Sequence, residues 1–175
     1  MRRFLTLLAL LALIASPTFA GPPEPVHAPE IAVLEVGVFC ALQAMDQMPA
    51  PGTESGWIHV PTSEIRFHWP DRQVVPAAIG LAFGVKAVGA PGYVSSDAVA
   101  RMTRPGRAEP EVWDTGISDA GASIAFFRFD TPDELVPGLW SFEVWDGETR
   151  LYHAEFEVVP AAAMPEIVQA CGAIS

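Results

Sequence analysis

Positive charge is scarce in this chain. Lys and Arg together number 10 against 21 Asp and Glu, a formal charge of −11. A surface of that sign repels phosphate backbones, so nucleic acid is excluded as a partner. Anionic lipid is disfavoured for the same reason. Cysteine is nearly absent too, with Cys40 and Cys171 the only two. There is no CxxC pair and no His beside either thiol, as a metal or redox motif would show. The sequence also has no GxSxG elbow, no phosphate-cradling glycine loop and no HExxH, which leaves no catalytic signature to read. After the first 20 residues no apolar run is long enough to cross a bilayer.

What is present starts with an address. Arg2 and Arg3 lead into the apolar run Phe4 to Ala15, and small residues follow, with Thr18 and Ala20 at the −3 and −1 positions before Gly21. That order is a removable signal peptide over residues 1–20. A retained anchor helix is the alternative, and the brevity of the run counts against it. Phe4 directly after Arg3 lacks the spacer of a twin-arginine address, and no Cys follows the run to carry a lipid. Cleavage lowers Lys and Arg from 10 to 8 against the same 21 acids, taking the charge to −13. The expected location is periplasmic or secreted, without stable membrane insertion after cleavage. About 155 residues remain, enough for one domain with its own core. In an oxidising compartment the Cys40 and Cys171 pair reads as a disulfide closing a loop of roughly 130 residues, with a metal-binding pair or a catalytic thiol as the alternatives.

Residues 21–29 hold four prolines and read as an extended, poorly ordered lead-in. Strand signals then follow over Ile31 to Cys40 and, interrupted at Pro61, over Trp57 to Trp69. From Gln73 to Gly89, Ile79, Leu81, Phe83 and Val85 alternate with Gly80, Ala82, Gly84 and Lys86. This period of two predicts a strand with one buried face and one nearly bare of side chains. The bare face predicts a close neighbouring backbone, with a docking groove as the alternative. Residues 89–110 are rich in Pro and Gly and read as loop, carrying Arg101, Arg104 and Arg107, which either offset nearby acids or hold an anion. Further strands are expected over Glu111 to Ile117, Ser123 to Asp130, Gly138 to Trp145 and Thr149 to Val159, and a helical tail over Met164 to Gly172. Short strands at this spacing, without helices between them, predict an antiparallel sandwich over residues 30–160, followed by the tail at 161–175.

The last two strands allow a finer expectation. Trp140, Phe142 and Val144 share a face, as do Tyr152, Ala154, Phe156 and Val158. Both sets must face one core, so even residues pair with even ones, and a loop of three residues around Asp146, Gly147 and Glu148 is expected.

The segment Leu135-Val-Pro-Gly-Leu-Trp-Ser-Phe-Glu-Val-Trp145 resembles the penultimate strand of immunoglobulin-like modules in secreted bacterial proteins, and Thr149 to Val159 their final strand. With Val75 to Gly84, these segments are similar to an uncharacterised bacterial exported family. The resemblance implies an all-β, antiparallel immunoglobulin-like β-sandwich with a short C-terminal helical turn, and no catalytic residue. Cys171 follows the last strand, so the pair departs from the inter-sheet bridge of antibody domains.

The expected function is a non-catalytic module that binds a protein partner, with no cofactor. Its candidate contact residues are the outward Trp145 with Arg150 and Glu143 beside it, because Trp and Arg are frequent interface anchors. Burial of Trp145 under the tail or a loop is the competing reading. The alternative function is a small-ligand or metal-binding protein using His59 and His68. Met45 and Met48 read as a short apolar turn on the core rather than a copper site, and Arg128 as a paired structural charge.

Overall fold

Alternation along the two strands nearest the C-terminus decides the architecture. The computed structural model describes residues 21–172, so the signal peptide read at 1–20 and residues 173–175 lie outside the described residues. β11 (Gly138–Asp146) buries Trp140, Phe142 and Val144, and β12 (Thr149–Pro160) buries Tyr152, Ala154, Phe156 and Val158. They pair antiparallel as Trp140↔Phe156, Phe142↔Ala154 and Val144↔Tyr152, even with even. The expected three-residue loop is corrected. Asp146 pairs with Thr149, so the turn holds two residues, with Gly147 at a φ of +56° where a type II′ turn requires glycine. Parity is restored by a bulge instead. Leu151 is the extra residue between Val144↔Tyr152 and Trp145↔Arg150, and it is buried next to Tyr152.

Around this hairpin the first sheet runs β1 (Val26–His27), β12, β11, β8 (Val94–Thr103) and β9 (Glu111–Ser118), and β6 (Val74–Ala77) joins β12 in parallel. A second sheet runs β10 (Ser123–Arg128), β7 (Leu81–Gly89), β2 (Ile31–Cys40) and β5 (Trp69–Pro70). β3 (Asp46–Pro49) and β4 (Trp57–Val60) form a separate hairpin. β7 and β10 thus pair in one sheet, while β8, β11 and β12 lie in the other with β9 at its edge. This is the B and E against C, F and G division of an immunoglobulin domain with a C′ strand added. The chain is an all-β, mostly antiparallel immunoglobulin-like sandwich with one short C-terminal helix, α1 (Pro165–Gly172).

Three local expectations are corrected. Residues 89–110 are not all loop, because β8 occupies the middle of the first sheet. Its inward residues are Ser95, Ala98, Ala100 and Met102, its Val94 points out, and a bulge between Ser95 and Ala98 breaks the period. Residues 73–89 are not one strand. Gly80, at a φ of +84°, turns the chain so that β6 serves the first sheet and β7 the second, which leaves Ile79 exposed. Residues 46–49 are an exposed strand rather than an apolar turn, although Met45 packs against Phe39, Ala41 and Ala82. The bare face of β7 is explained by close approach, since a Cβ on Gly84 would collide with the Ala125 carbonyl oxygen. Phe39, Phe67 and Phe126 pack beside Ala82.

The core centres on Phe83 of β7, whose ring lies 5.1 Å from Phe156, 5.5 Å from Trp140, 5.6 Å from Phe129 and 5.8 Å from Phe142. Where antibody domains join strands B and F by a disulfide, rings meet here. Trp140 Nε1 donates to the Val136 carbonyl at 3.0 Å, so the buried indole is satisfied. The disulfide sits elsewhere. Cys40 at the end of β2 is bonded to Cys171 of α1, with Cα atoms 5.4 Å apart, and Ile167 buries the same face of the helix. The lead-in is extended and docked: Pro23 accepts from Gln73 Nε2 at 2.9 Å, and the Ala28 amide donates to the Leu151 carbonyl at 2.9 Å.

Candidate functional site

Residues of β8, β11 and β12 that point away from the core form one outer face, and the register sets its rows. Glu143 lies opposite Arg101 on one side and His153 on the other, and Trp145 lies opposite Val99 and Arg150. The three candidate contact residues therefore converge. Trp145 Nε1 donates to Glu143 Oε2 at 3.0 Å, and Arg150 Nη1 donates to Glu143 Oε1 at 3.1 Å. The guanidinium of Arg101 stands 5.2 Å from the Trp145 ring centroid and that of Arg150 5.9 Å. Trp145 is half-buried, covered by these two arginines rather than by the Cys171 tail.

Glu143 is the hub of this face. His153 Nδ1 lies 3.1 Å from its Oε1, and His153 Nε2 lies 3.2 Å from Glu155 Oε1. Burial pushes the Glu143 carboxyl up, but the bonds from Trp145 and Arg150 and the charges of His153 and Arg150 outweigh it. The carboxyl is held below its ordinary value of 4.5. A group whose folded pKa is depressed adds stability above its unfolded value and loses it as pH falls through the folded one. Glu143→Gln is therefore expected to flatten the acid loss of stability below pH 4.5. Urea unfolding of both proteins at about pH 7 and about pH 3 checks this, and equal acid losses would contradict it. The hairpin is braced from the side by Tyr93, whose hydroxyl donates to Asp146 Oδ2 at 2.6 Å. Burial and then that bond push the Tyr93 hydroxyl up to about 12.

The remaining candidates are placed apart. His59 Nε2 meets Asp130 Oδ2 at 2.7 Å in a small hollow walled by Trp57, Trp113 and Phe126. His68 Nδ1 accepts from the Cys40 amide at 3.2 Å beside a different hollow, lined by Phe39, Met45 and Ile65. The two histidines do not converge, and among the described residues no group of three or more His, Cys, Asp or Glu is placed to hold a metal. Ser55 Oγ donates to the Trp57 carbonyl at 2.7 Å and makes no bond to His59. The arginine cluster is divided. Arg101 joins Trp145, while the buried Arg104 pairs with Glu54 and with Glu111, the latter at 2.9 Å. Its guanidinium also lies 5.7 Å from the rings of Phe127 and Trp140, and Arg107 pairs with Glu54. Arg128 Nε is 2.6 Å from Asp130 Oδ1.

Arg101, read in the sequence as one of a loop cluster of three arginines, and His153 also belong to the outer face, where the sequence pattern did not place them beside Glu143. His153 was legible as an outward residue of the last strand. Arg101 was hidden because β8 reads as loop.

No family model matches the chain, and no curated protein matches it. Among solved structures it is similar to an immunoglobulin-like protein from Pseudomonas aeruginosa. The two share 16% identity over 78% of this chain and 98% of that one, with a TM-score of 0.48. The fold stands on the strand pairing described above rather than on this likeness.

Proposed function

We propose that the mature chain is an exported, non-catalytic module that binds a protein partner through the outer face of β8, β11 and β12. The observation that carries the proposal is the packing of Trp145 between Arg101 and Arg150 over Glu143. An aromatic surface held this way loses little side-chain freedom on binding, which lowers the entropic cost of association. Trp and Arg are also the residues most often found as interface anchors. Export is supported by the leader pattern at residues 1–20 and by the Cys40–Cys171 bond, which suits an oxidising compartment. The finer family assignment, an exported bacterial group of periplasmic proteins, belongs to the same proposal.

The test starts from the mature protein as bait in an extract of its source cell, with the partner identified by mass spectrometry and then titrated in purified form. Trp145→Ala and Arg150→Ala are each expected to weaken that partner about tenfold or more. Undiminished affinity in both variants would remove this face from the reading.

A further inference from the structure

One side of β2 is only partly paired. β5 covers only Gly37 and Val38 of that edge, through the pairs Gly37↔Pro70 and Val38↔Trp69. Asp71, at a φ of +59°, then turns the chain away to β6, which belongs to the other sheet. The backbone groups facing the vacant side follow from three bonds. The Asp71 amide donates to the Val36 carbonyl at 2.9 Å, and the Cys40 amide to His68 at 3.2 Å, both on the β5 side. The Ala41 amide donates to the Gly80 carbonyl at 2.8 Å, toward β7. Successive residues of an antiparallel strand aim their backbone groups to opposite sides. Leu34 and Val36 therefore face the vacancy, while Val33 and Glu35 bond β7. Among the described residues, the Leu34 amide and carbonyl and the Val36 amide have no hydrogen-bond partner.

The vacancy opens on a hollow of about 490 Å³ with Leu34 and Val36 as an apolar floor. Its walls include Glu24, His27, Asp71 and Gln73, and neither Glu24 nor Asp71 has an ion pair among the described residues. Unpaired strand edges bind extended chains through main-chain bonds. We infer that this track on β2 takes one added strand from a partner protein, an extended segment carrying Lys or Arg that meets Glu24 and Asp71. The track lies on the other sheet from Trp145, so it is a second contact and does not depend on the first.

The probe is the acetylated, amidated peptide Lys-Val-Thr-Val-Lys, titrated to millimolar concentration against the isotope-labelled mature protein. Saturable amide shifts are expected at Ala32 to Val36 and at Asp71. Glu in place of both Lys is expected to weaken binding at least threefold, and N-methylation of both peptide valines to abolish it. Leu34→Pro removes an outward amide without touching a β7 bond, and it is expected to lose the shifts. If that variant does not fold, the N-methylated peptide tests the same main-chain bonds from the other side. Absence of saturable shifts, equal binding of the Glu peptide, or equal binding of the N-methylated peptide would each overturn the inference. Trp145→Ala is expected to bind the probe unchanged, which separates this surface from the outer face.

Discussion

Replacing Cys171 with Ser is expected to cost the sandwich domain about 2–5 kcal/mol of unfolding free energy. The bond closes a sequence separation of 131 residues, so its loss releases nearly the whole chain in the unfolded state. In the folded state it also frees α1, an eight-residue helix too short to persist alone. Ile167 would then leave its buried position beside β6 and the end of β2. Cys40→Ser removes the same link and should cost a similar amount, while the double variant should cost little more than either single one. Urea unfolding of the wild type before and after reduction, beside the three variants, measures this. A loss below about 1 kcal/mol in every case would show that the bond does not hold the tail.

Phe83→Ala carries the other large effect, about 3–5 kcal/mol. Phe83 is the one ring of β7 that touches the aromatic residues of β11, β12 and the segment after β10, so its removal opens a void between the two sheets. The surrounding rings are anchored on separate strands and can collapse only in part, and the residual cavity adds to the lost transfer free energy. Leu139→Ala is the control, because Leu139 is 54% exposed on the outer face, and its effect should fall within about 0.5 kcal/mol. Comparable losses for the two substitutions would contradict the placement of the core.

How far the sequence alone could be read depended on where its apolar residues were large. β11 and β12 alternate Trp, Phe, Val and Tyr with polar residues, so their faces and their even-with-even pairing were legible. The turn between them was not, because a bulge and an extra loop residue satisfy parity equally well, and Leu151 carries no mark of being the bulge. β8 escaped because its core positions are Ser95, Ala98, Ala100 and Met102, mostly too small to show a period, and because its Val94 is exposed. The break at Gly80 escaped because Ile79 keeps the alternation going past the point where the chain changes sheets. Glu143 and Trp145 were legible as outward residues because a period of two places them on the face opposite Trp140, Phe142 and Val144, whereas Arg150, an even residue of β12, joins them only through the bulge at Leu151. Arg101 arrives from a strand some forty residues earlier, and only tertiary pairing shows it.

The most direct measurement is site-specific photocrosslinking in the living source cell. The crosslinking residue is placed at Val99, directly opposite Trp145 on the outer face, and separately at Ile79, which is 55% exposed in the turn between β6 and β7. Binding through the outer face predicts one dominant protein adduct from Val99, absent from Ile79 and lost when Trp145→Ala is added. An adduct that persists with Trp145→Ala, or one that forms only from Ile79, would contradict it.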